Sequence, residues 1–208
     1  PVIVTCHDIV NWIHPEWFQN QAKFSMLSMA TWKLSLRGMC QADTVATVSA
    51  HTAKDVIEYL NLPAERIQVI PNGVEAAFKP LETDVRLSTR SVVGIPADCF
   101  CLFNVGSNNP RKNVITVLKV LKHLRDSGLP IHFCKAGEDF TDEQRAFISR
   151  HGLKSHISYV GKPSQALLTK LYNAADVLIA PSIYEGFGFT VLEAMACKLP
   201  VIAANVTA

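Results

Sequence analysis

The sequence predicts an α/β protein built on parallel sheets and organised as two successive units. Short apolar runs alternate with amphipathic helical stretches along nearly the whole chain, as a doubly wound sheet requires. The segment from about Glu75 to Ala97 loses periodicity and carries Pro80, Pro96 and several charges, which divides the alternation in two. Glycine turns and polar residues follow directly after predicted strands, where open parallel sheets bind their ligands.

In the first unit, Val2 to Thr5 is an apolar strand, Trp17 to Arg37 is mostly helical, and Thr44 to Ser49 is a second strand. Ser49 or Thr52 suits the N-cap of a helix over Ala53 to Leu60. Ile67 to Ile70 forms a third strand, and Pro71-Asn72-Gly73-Val74 a turn. Glu75 to Ala97 reads as a linker. In the second unit, strands are expected at Phe100 to Val105, Ile131 to Ala136, Ile157 to Val160, Asp176 to Ala180 and Val201 to Ala204, with helices between them. One of these helices, Asn113 to Leu124, aligns Val114, Val117, Leu118, Leu121 and Leu124 on one face.

Composition narrows the function classes. A chain of 208 residues with 49% hydrophobic and 18% charged content can bury one large core or two modest ones. A net charge of +2 without a long basic run argues for no nucleic-acid partner. Cys6, Cys40, Cys99, Cys101, Cys134 and Cys197 lack metal-ligand spacing and read as reduced thiols in or near the core, hence a cytoplasmic protein. No apolar run approaches the ~18 residues of a membrane span. No signal peptide is visible, and a start at Pro1 without methionine reads as a piece of a longer protein.

The most informative stretch runs from Tyr184 through Glu185-Gly186-Phe187-Gly188-Phe189 to Leu192-Glu193-Ala194-Met195-Ala196. Seven residues separate Glu185 from Glu193 across a glycine-rich turn that opens into an apolar helix between two strands. Gly186 and Gly188 let main-chain amides approach a bound group, and the helix start favours an anion. A helix starting near Gly188 places Glu193 ~7 Å along its axis while Glu185 stays in the loop. Two acids can then hold hydroxyls at opposite ends of an extended ligand with an anionic centre, the layout of a nucleotide sugar. The plainer alternative makes Phe187, Phe189, Val191, Leu192 and Met195 core and leaves both glutamates solvated.

A second segment agrees. Gly106-Ser107-Asn108-Asn109-Pro110 follows a buried strand, and Arg111 and Lys112 stand at the next helix start, able to neutralise a diphosphate. His7-Asp8 closes the opening strand of the first unit, at a carboxyl end suited to ligand contact.

These phrases together resemble the retaining glycosyltransferases of family 4, also known as group 1. The resemblance rests on Glu-Gly-Phe-Gly … Leu-Glu-Ala-Met-Ala … Pro-Val-Ile-Ala, on Gly-x-x-x-x-Arg-Lys-Asn from Gly106 to Asn113, and on the loop from Thr5 and His7-Asp8 to Pro15-Glu16-Trp17. Asp43 to Ser49 and Ile67 to Val74 are also similar. Ser107 departs from relatives that carry an arginine there.

The resemblance implies a GT-B architecture of two Rossmann-like domains with parallel sheets facing a cleft. The first domain is incomplete: residues 1–85 form its acceptor-side part with the linker, and 86–208 form the nucleotide-sugar-binding domain without its C-terminal end. It implies transfer of a hexose such as mannose or glucose from a UDP- or GDP-sugar to an acceptor hydroxyl, with retention, in polysaccharide or glycolipid biosynthesis. Catalytic roles fall to His7, Arg111, Lys112 and Glu185. Donor-binding roles fall to Gly106, Val160, Gly186, Phe187, Gly188, Phe189 and Glu193, with the base contacted through the main chain near Tyr159-Val160-Gly161. Asp8 is placed to orient the His7 ring.

No Asp-x-Asp triplet is present, so no metal and no other cofactor is expected, and the two cations act in its stead. The acceptor is a saccharide or is lipid-linked. Trp12, Trp17, Phe18, Phe24 and Trp32 with Lys23, Lys33 and Arg37 read first as core packing and alternatively as a peripheral contact at the inner face of the membrane. Competing readings are a GT-B nucleotide-sugar epimerase, which forms product without an acceptor, and a truncated or non-catalytic nucleotide-sugar-binding domain.

Overall fold

Every strand pairing in the computed structural model is parallel, so each strand must be followed by a crossover, and helices supply most of them. The structure describes residues 1–18 and 26–207. Lys23, Phe24 and part of the expected Trp17–Arg37 helix lie outside these residues. The chain divides into two units, described in turn: Pro1–Gly73 with Tyr184–Gly188, Val206 and Thr207; and Val74–Ile183 with Phe189–Asn205.

The first unit holds a sheet of order β1 (Ile3–Cys6), β2 (Thr44–Thr47), β3 (Ile67–Val69). Cys6 pairs with Thr47 at the carboxyl ends, which brings the residues after both strands to one edge. Its helices are α1 (Val10–Ile13), α2 (Met26–Gln41) and α3 (Ala50–Leu60). Ser49 is the N-cap of α3, accepting from the Thr52 amide at 3.0 Å, and Asn61 ends the helix in the left-handed region. Ile9, Leu36, Met39, Val45 and Val56 form the core, with Trp32 packed against it. The aromatic cluster is therefore split, because Trp12 remains 42% exposed while touching Trp32.

The second unit holds a sheet of order β6 (Ile157–Tyr159), β5 (Ile131–Gly137), β4 (Phe100–Gly106), β7 (Val177–Ala180), β8 (Val201–Ala203). Its direction of growth reverses between β4 and β7. Along β4, Cys101 and Phe103 face one core and Leu102 the other, so both faces are covered, as the unbroken apolar runs require. Helices α5 (Val114–Asp126) and α6 (Asp142–Arg150) pack one face. On the other lie α7 (Gln165–Ala174) and α8 (Phe189–Ala196).

The expected linker is a correction. Residues 83–93 form helix α4 (Thr83–Val93), ended by Gly94 at φ +74°, and Phe78 and Ile95 lie in the core beside α7. The segment hides from periodicity because α4 uses charges where an ordinary helix uses apolar contacts. Arg90 is 3% exposed and Arg86 half-buried, and their guanidinium groups clamp Asp176 just before β7 at 2.5 and 2.6 Å. All six cysteines are free thiols, and burial pushes Cys6 and Cys101 up to about 12. Among the described residues no helix is long and apolar enough to cross a membrane.

Candidate functional site

In the second unit the loops at the carboxyl ends of the strands are built around close backbone approaches. Gly106 and Gly137, paired in register at the ends of β4 and β5, have φ of +140° and +106°. A Cβ on Gly137 would meet the Gly106 carbonyl oxygen at 2.2 Å, which only glycine avoids. Past Gly106 the chain makes a 3-10 turn, Pro110–Lys112, capped by the Asn109 side chain accepting from the Arg111 amide at 3.1 Å. Proline at its first position and Asn113 at φ +52° set the turn between strand and α5.

Arg111 and Lys112 are half-buried on that turn. The aliphatic end of Lys112 lies over Gly106, whose would-be Cβ stands 3.5 Å from Lys112 Cε. The Ile183 amide donates to the Arg111 carbonyl at 2.8 Å, and Asn113 Nδ2 donates to the Pro181 carbonyl at 3.2 Å. These bonds tie the loop after β4 to the loop after β7, across the strand reversal where doubly wound sheets open a binding crevice. Nearby, the Asn108 amide donates to the Glu138 carboxylate at 2.9 Å.

Val160 follows β6, its amide donating to the Lys135 carbonyl at 2.9 Å, while the next residue, Gly161, accepts from the Gly137 amide at 2.6 Å. Phe189 opens α8 and is 45% exposed, and Met195 is 59% exposed, so neither is core. Glu193 is half-buried on α8 and accepts from the Tyr172 hydroxyl at 2.6 Å. Burial holds the Glu193 carboxyl above its usual range; the Tyr172 hydrogen bond opposes this and the Glu75 charge reinforces it. Tyr172 was missed from the sequence, where it reads as an ordinary apolar position of α7. The available signal was that a buried tyrosine needs a partner for its hydroxyl.

In the first unit His7 is exposed just after β1, and Asp8 Oδ1 accepts from the Val10 amide at 3.2 Å just ahead of α1, whose N-cap is Ile9. Gly186 is glycine because of close approach, with no unusual φ. A Cβ there would lie 2.5 Å from the His7 carbonyl oxygen and 2.9 Å from Asp8 Cβ. His7 and Gly186 are thus neighbours. Gly188 has φ +90°, the left-handed turn that the loop needs before α8. Glu185 and Phe187 are half-buried, and the Glu185 amide donates to Thr207 Oγ1 at 2.7 Å. Among the described residues no group of three or more His, Cys, Asp or Glu side chains is arranged to hold a metal ion.

Two all-parallel α/β units, the second with cations at its strand reversal, define the Rossmann-like class of α/β fold. Residues 86–208 match the family described as Glycosyl transferases group 1, and residues 1–78 match Glycosyltransferase Family 4. The chain belongs to the group 1, family 4 glycosyltransferases, and its fold is GT-B, as the sequence led us to expect.

Among curated relatives, it is 27% identical over 211 residues to the O-antigen chain mannosyltransferase B of Escherichia coli, covering 99% of this chain and 53% of that protein. It is 29% identical over 177 residues to the D-inositol 3-phosphate glycosyltransferase of Mycolicibacterium vanbaalenii, covering 79% of this chain and 39% of that protein. Among solved structures, Anabaena HepE in complex with UDP and glucose superposes with a TM-score of 0.81 at 21% identity, covering 100% of this chain and 53% of that one. WaaG, a glycosyltransferase involved in lipopolysaccharide biosynthesis, superposes with a TM-score of 0.76 at 21% identity, covering 99% and 56%. The chain thus spans about half the length of these relatives.

Proposed function

We propose that this chain carries the donor-binding domain, residues 86–208, and part of the acceptor-side domain, residues 1–85, of a retaining hexosyltransferase. The donor is a UDP- or GDP-linked hexose such as mannose or glucose, and the acceptor is a saccharide or lipid-linked hydroxyl in polysaccharide or glycolipid assembly. The mannosyltransferase among its relatives and the UDP and glucose bound by HepE support the class of donor. Six free thiols fit a reducing cytoplasm, and the exposed Trp12 with Lys33 and Arg37 fits work at the inner face of a membrane.

The bond from the anomeric carbon to the diphosphate oxygen breaks, and the acceptor oxygen bonds to the same face of that carbon. The acceptor proton passes to the departing phosphate. Arg111 and Lys112 stabilise the negative charge growing on the diphosphate, the main catalytic contribution. Glu185 holds hydroxyls of the transferred sugar, Glu193 holds the ribose, and the main chain at Val160 meets the base. His7 approaches the sugar from the acceptor side. Gly106, Gly186, Phe187, Gly188 and Phe189 line the donor.

The observation that carries this reading is the Arg111–Lys112 turn at the strand reversal, with Lys112 folded over Gly106. Calorimetry of the intact natural protein with UDP, GDP and ADP tests it. One diphosphate nucleotide should bind in preference, and Lys112→Ala should weaken it about tenfold or more. Failure of all three to bind would sink the donor assignment. Binding without transfer to any acceptor would instead favour a non-catalytic nucleotide-sugar-binding protein.

A further inference from the structure

Within the first unit, helix α3 holds the residues on both sides of Glu185, one by its side chain and the other by its backbone. On one side the Tyr184 hydroxyl donates to Asp55 Oδ2 on α3. On the other, the Gly186 carbonyl accepts from Ser49 Oγ at 2.7 Å and from Thr52 Oγ1 at 3.1 Å. Ser49, Thr52 and Asp55 follow one another at intervals of three, so the start of α3 presents all of them on one face. Helix α3 therefore acts as a rail that holds Tyr184 and Gly186, the two neighbours of Glu185.

Asp55 and Tyr184 are 5% and 4% exposed, so the hydrogen bond between them is shielded from water. Burial, followed by the Asp55 hydrogen bond and charge, raises the Tyr184 hydroxyl far above its ordinary range, so it remains a donor at every physiological pH. His51 Nε2 stands 3.4 Å from the same Asp55 oxygen, and its ring meets Tyr184 edge-on with centroids 5.5 Å apart. A buried carboxylate is a costly way to hold a loop, and apolar packing of equal volume often stabilises as well or better. What a charge-assisted bond adds is direction. With the Tyr184 side chain and the Gly186 carbonyl both held, the main chain on either side of Glu185 is restrained, which narrows the positions its carboxylate can reach.

We propose that Asp55 is a positioning residue for Glu185, acting through Tyr184. The inference rests on the reading that Glu185 holds the donor sugar. The mechanism needs a carboxylate fixed against a transient sugar geometry, where a small misplacement lowers turnover without weakening nucleotide binding. Neither Asp55 nor Tyr184 need touch the donor to exert this effect.

The test is a set of variants of the intact natural protein: Asp55→Asn, Tyr184→Phe, Glu185→Gln and the double variant Asp55→Asn/Glu185→Gln. Transfer rates are read beside UDP and GDP affinity and the thermal midpoint. Asp55→Asn and Tyr184→Phe should each lower kcat about tenfold while nucleotide affinity holds within about twofold. In the Glu185→Gln background, Asp55→Asn should cost nothing further, because the group it positions is already disabled. An equal loss from Asp55→Asn in both backgrounds would show independent action and overturn the proposal, as would an undiminished kcat in Asp55→Asn. Parental activity in Glu185→Gln alone would instead remove the role of Glu185 and the positioning proposal with it. Should Asp55→Asn fail to fold, Tyr184→Phe, which leaves the Asp55–His51 pair in place, decides between the same two outcomes.

Discussion

The Tyr172 hydroxyl on α7 donates to Glu193 Oε2 on α8 at 2.6 Å, and this bond fixes the orientation of the carboxylate. Tyr172 is fully buried, its ring set edge-on against Phe103 and Phe78 at centroid distances of 5.2 and 5.8 Å. The aromatic cluster orients the hydroxyl, and the hydroxyl orients the acid. Under the proposed function, Oε1 then accepts from the ribose.

Tyr172→Phe keeps the ring and removes the donor. UDP or GDP affinity at pH 7 should fall about tenfold, and stability by about 1–2 kcal/mol, since a hydrogen bond to a charged acceptor is lost in a buried place. Calorimetry and urea unfolding read the two effects. Unchanged nucleotide affinity would disconnect Tyr172 from binding.

The raised pKa of Glu193 makes nucleotide binding pH-dependent with a definite sign. The protonated acid is favoured in the free protein by burial, whereas ribose hydroxyls are held by the ionised form. Affinity should therefore rise with pH through a region above the usual carboxylate range and then level off. Stability of the unliganded protein changes oppositely, because a raised folded pKa contributes stability at low pH that is lost as pH climbs through it. Glu193→Gln should flatten the affinity profile; a profile that keeps its slope would assign the titration elsewhere.

Arg90 is the largest single polar anchor of α4. Its guanidinium group donates to Asp176 at 2.5 Å, to the Ala174 carbonyl at 2.8 Å and to the Cys99 carbonyl at 2.9 Å. Arg90→Ala leaves Asp176 short of a partner and should cost about 3–5 kcal/mol in chemical unfolding. Burial alone would raise the Asp176 carboxyl, but the Cys101 amide and the charges of Arg86 and Arg90 outweigh it and hold it below its usual range. This stability is present above about pH 4 and is lost as pH falls through the lowered folded value. Asp176→Asn should be less stable at pH 7 and less sensitive to acid. Equal acid sensitivity in the variant would contradict the assignment.

Lys135 is fully buried on β5, its Nζ 3.4 Å from the Gly106 carbonyl and 5.9 Å from the Phe140 ring centroid. Burial pulls its ammonium group down to about 8, against the opposing charges of Glu138 and Asp139. An unfolded lysine titrates at about 10.4, so the folded state binds this proton less tightly. Stability should climb between these two values, and Lys135→Met should raise it at pH 7 by up to about 3 kcal/mol while flattening the climb. A variant less stable than its parent at pH 7 would show that the Gly106 bond outweighs desolvation.

Much of the second unit was legible because its strands are buried on both faces and read as unbroken apolar runs, as at Phe100 to Gly106. Helix α5 was legible from its single apolar stripe. Helix α4 was not, since Arg86 and Arg90 satisfy its inner face with an ion pair to a residue some ninety positions away. The same holds at the candidate site. Glu185, Glu193, Arg111 and Lys112 announce themselves by charge beside glycine, whereas Tyr172 and Asp55 have no local signature and matter only through partners distant in the chain.

Local order and chemistry type were thus in the sequence itself: parallel α/β units, glycine turns after strands, and acids and cations of the family 4 glycosyltransferases. Periodicity and backbone sterics act over a few residues, so they can be read directly along the chain. Tertiary structure alone decided that Gly186 must lack a side chain because His7 passes against it, that Tyr172 bonds Glu193, and that Asp55 bonds Tyr184 beside Glu185. These are long-range contacts, set by how the chain closes on itself, and no local pattern of residues encodes their distances.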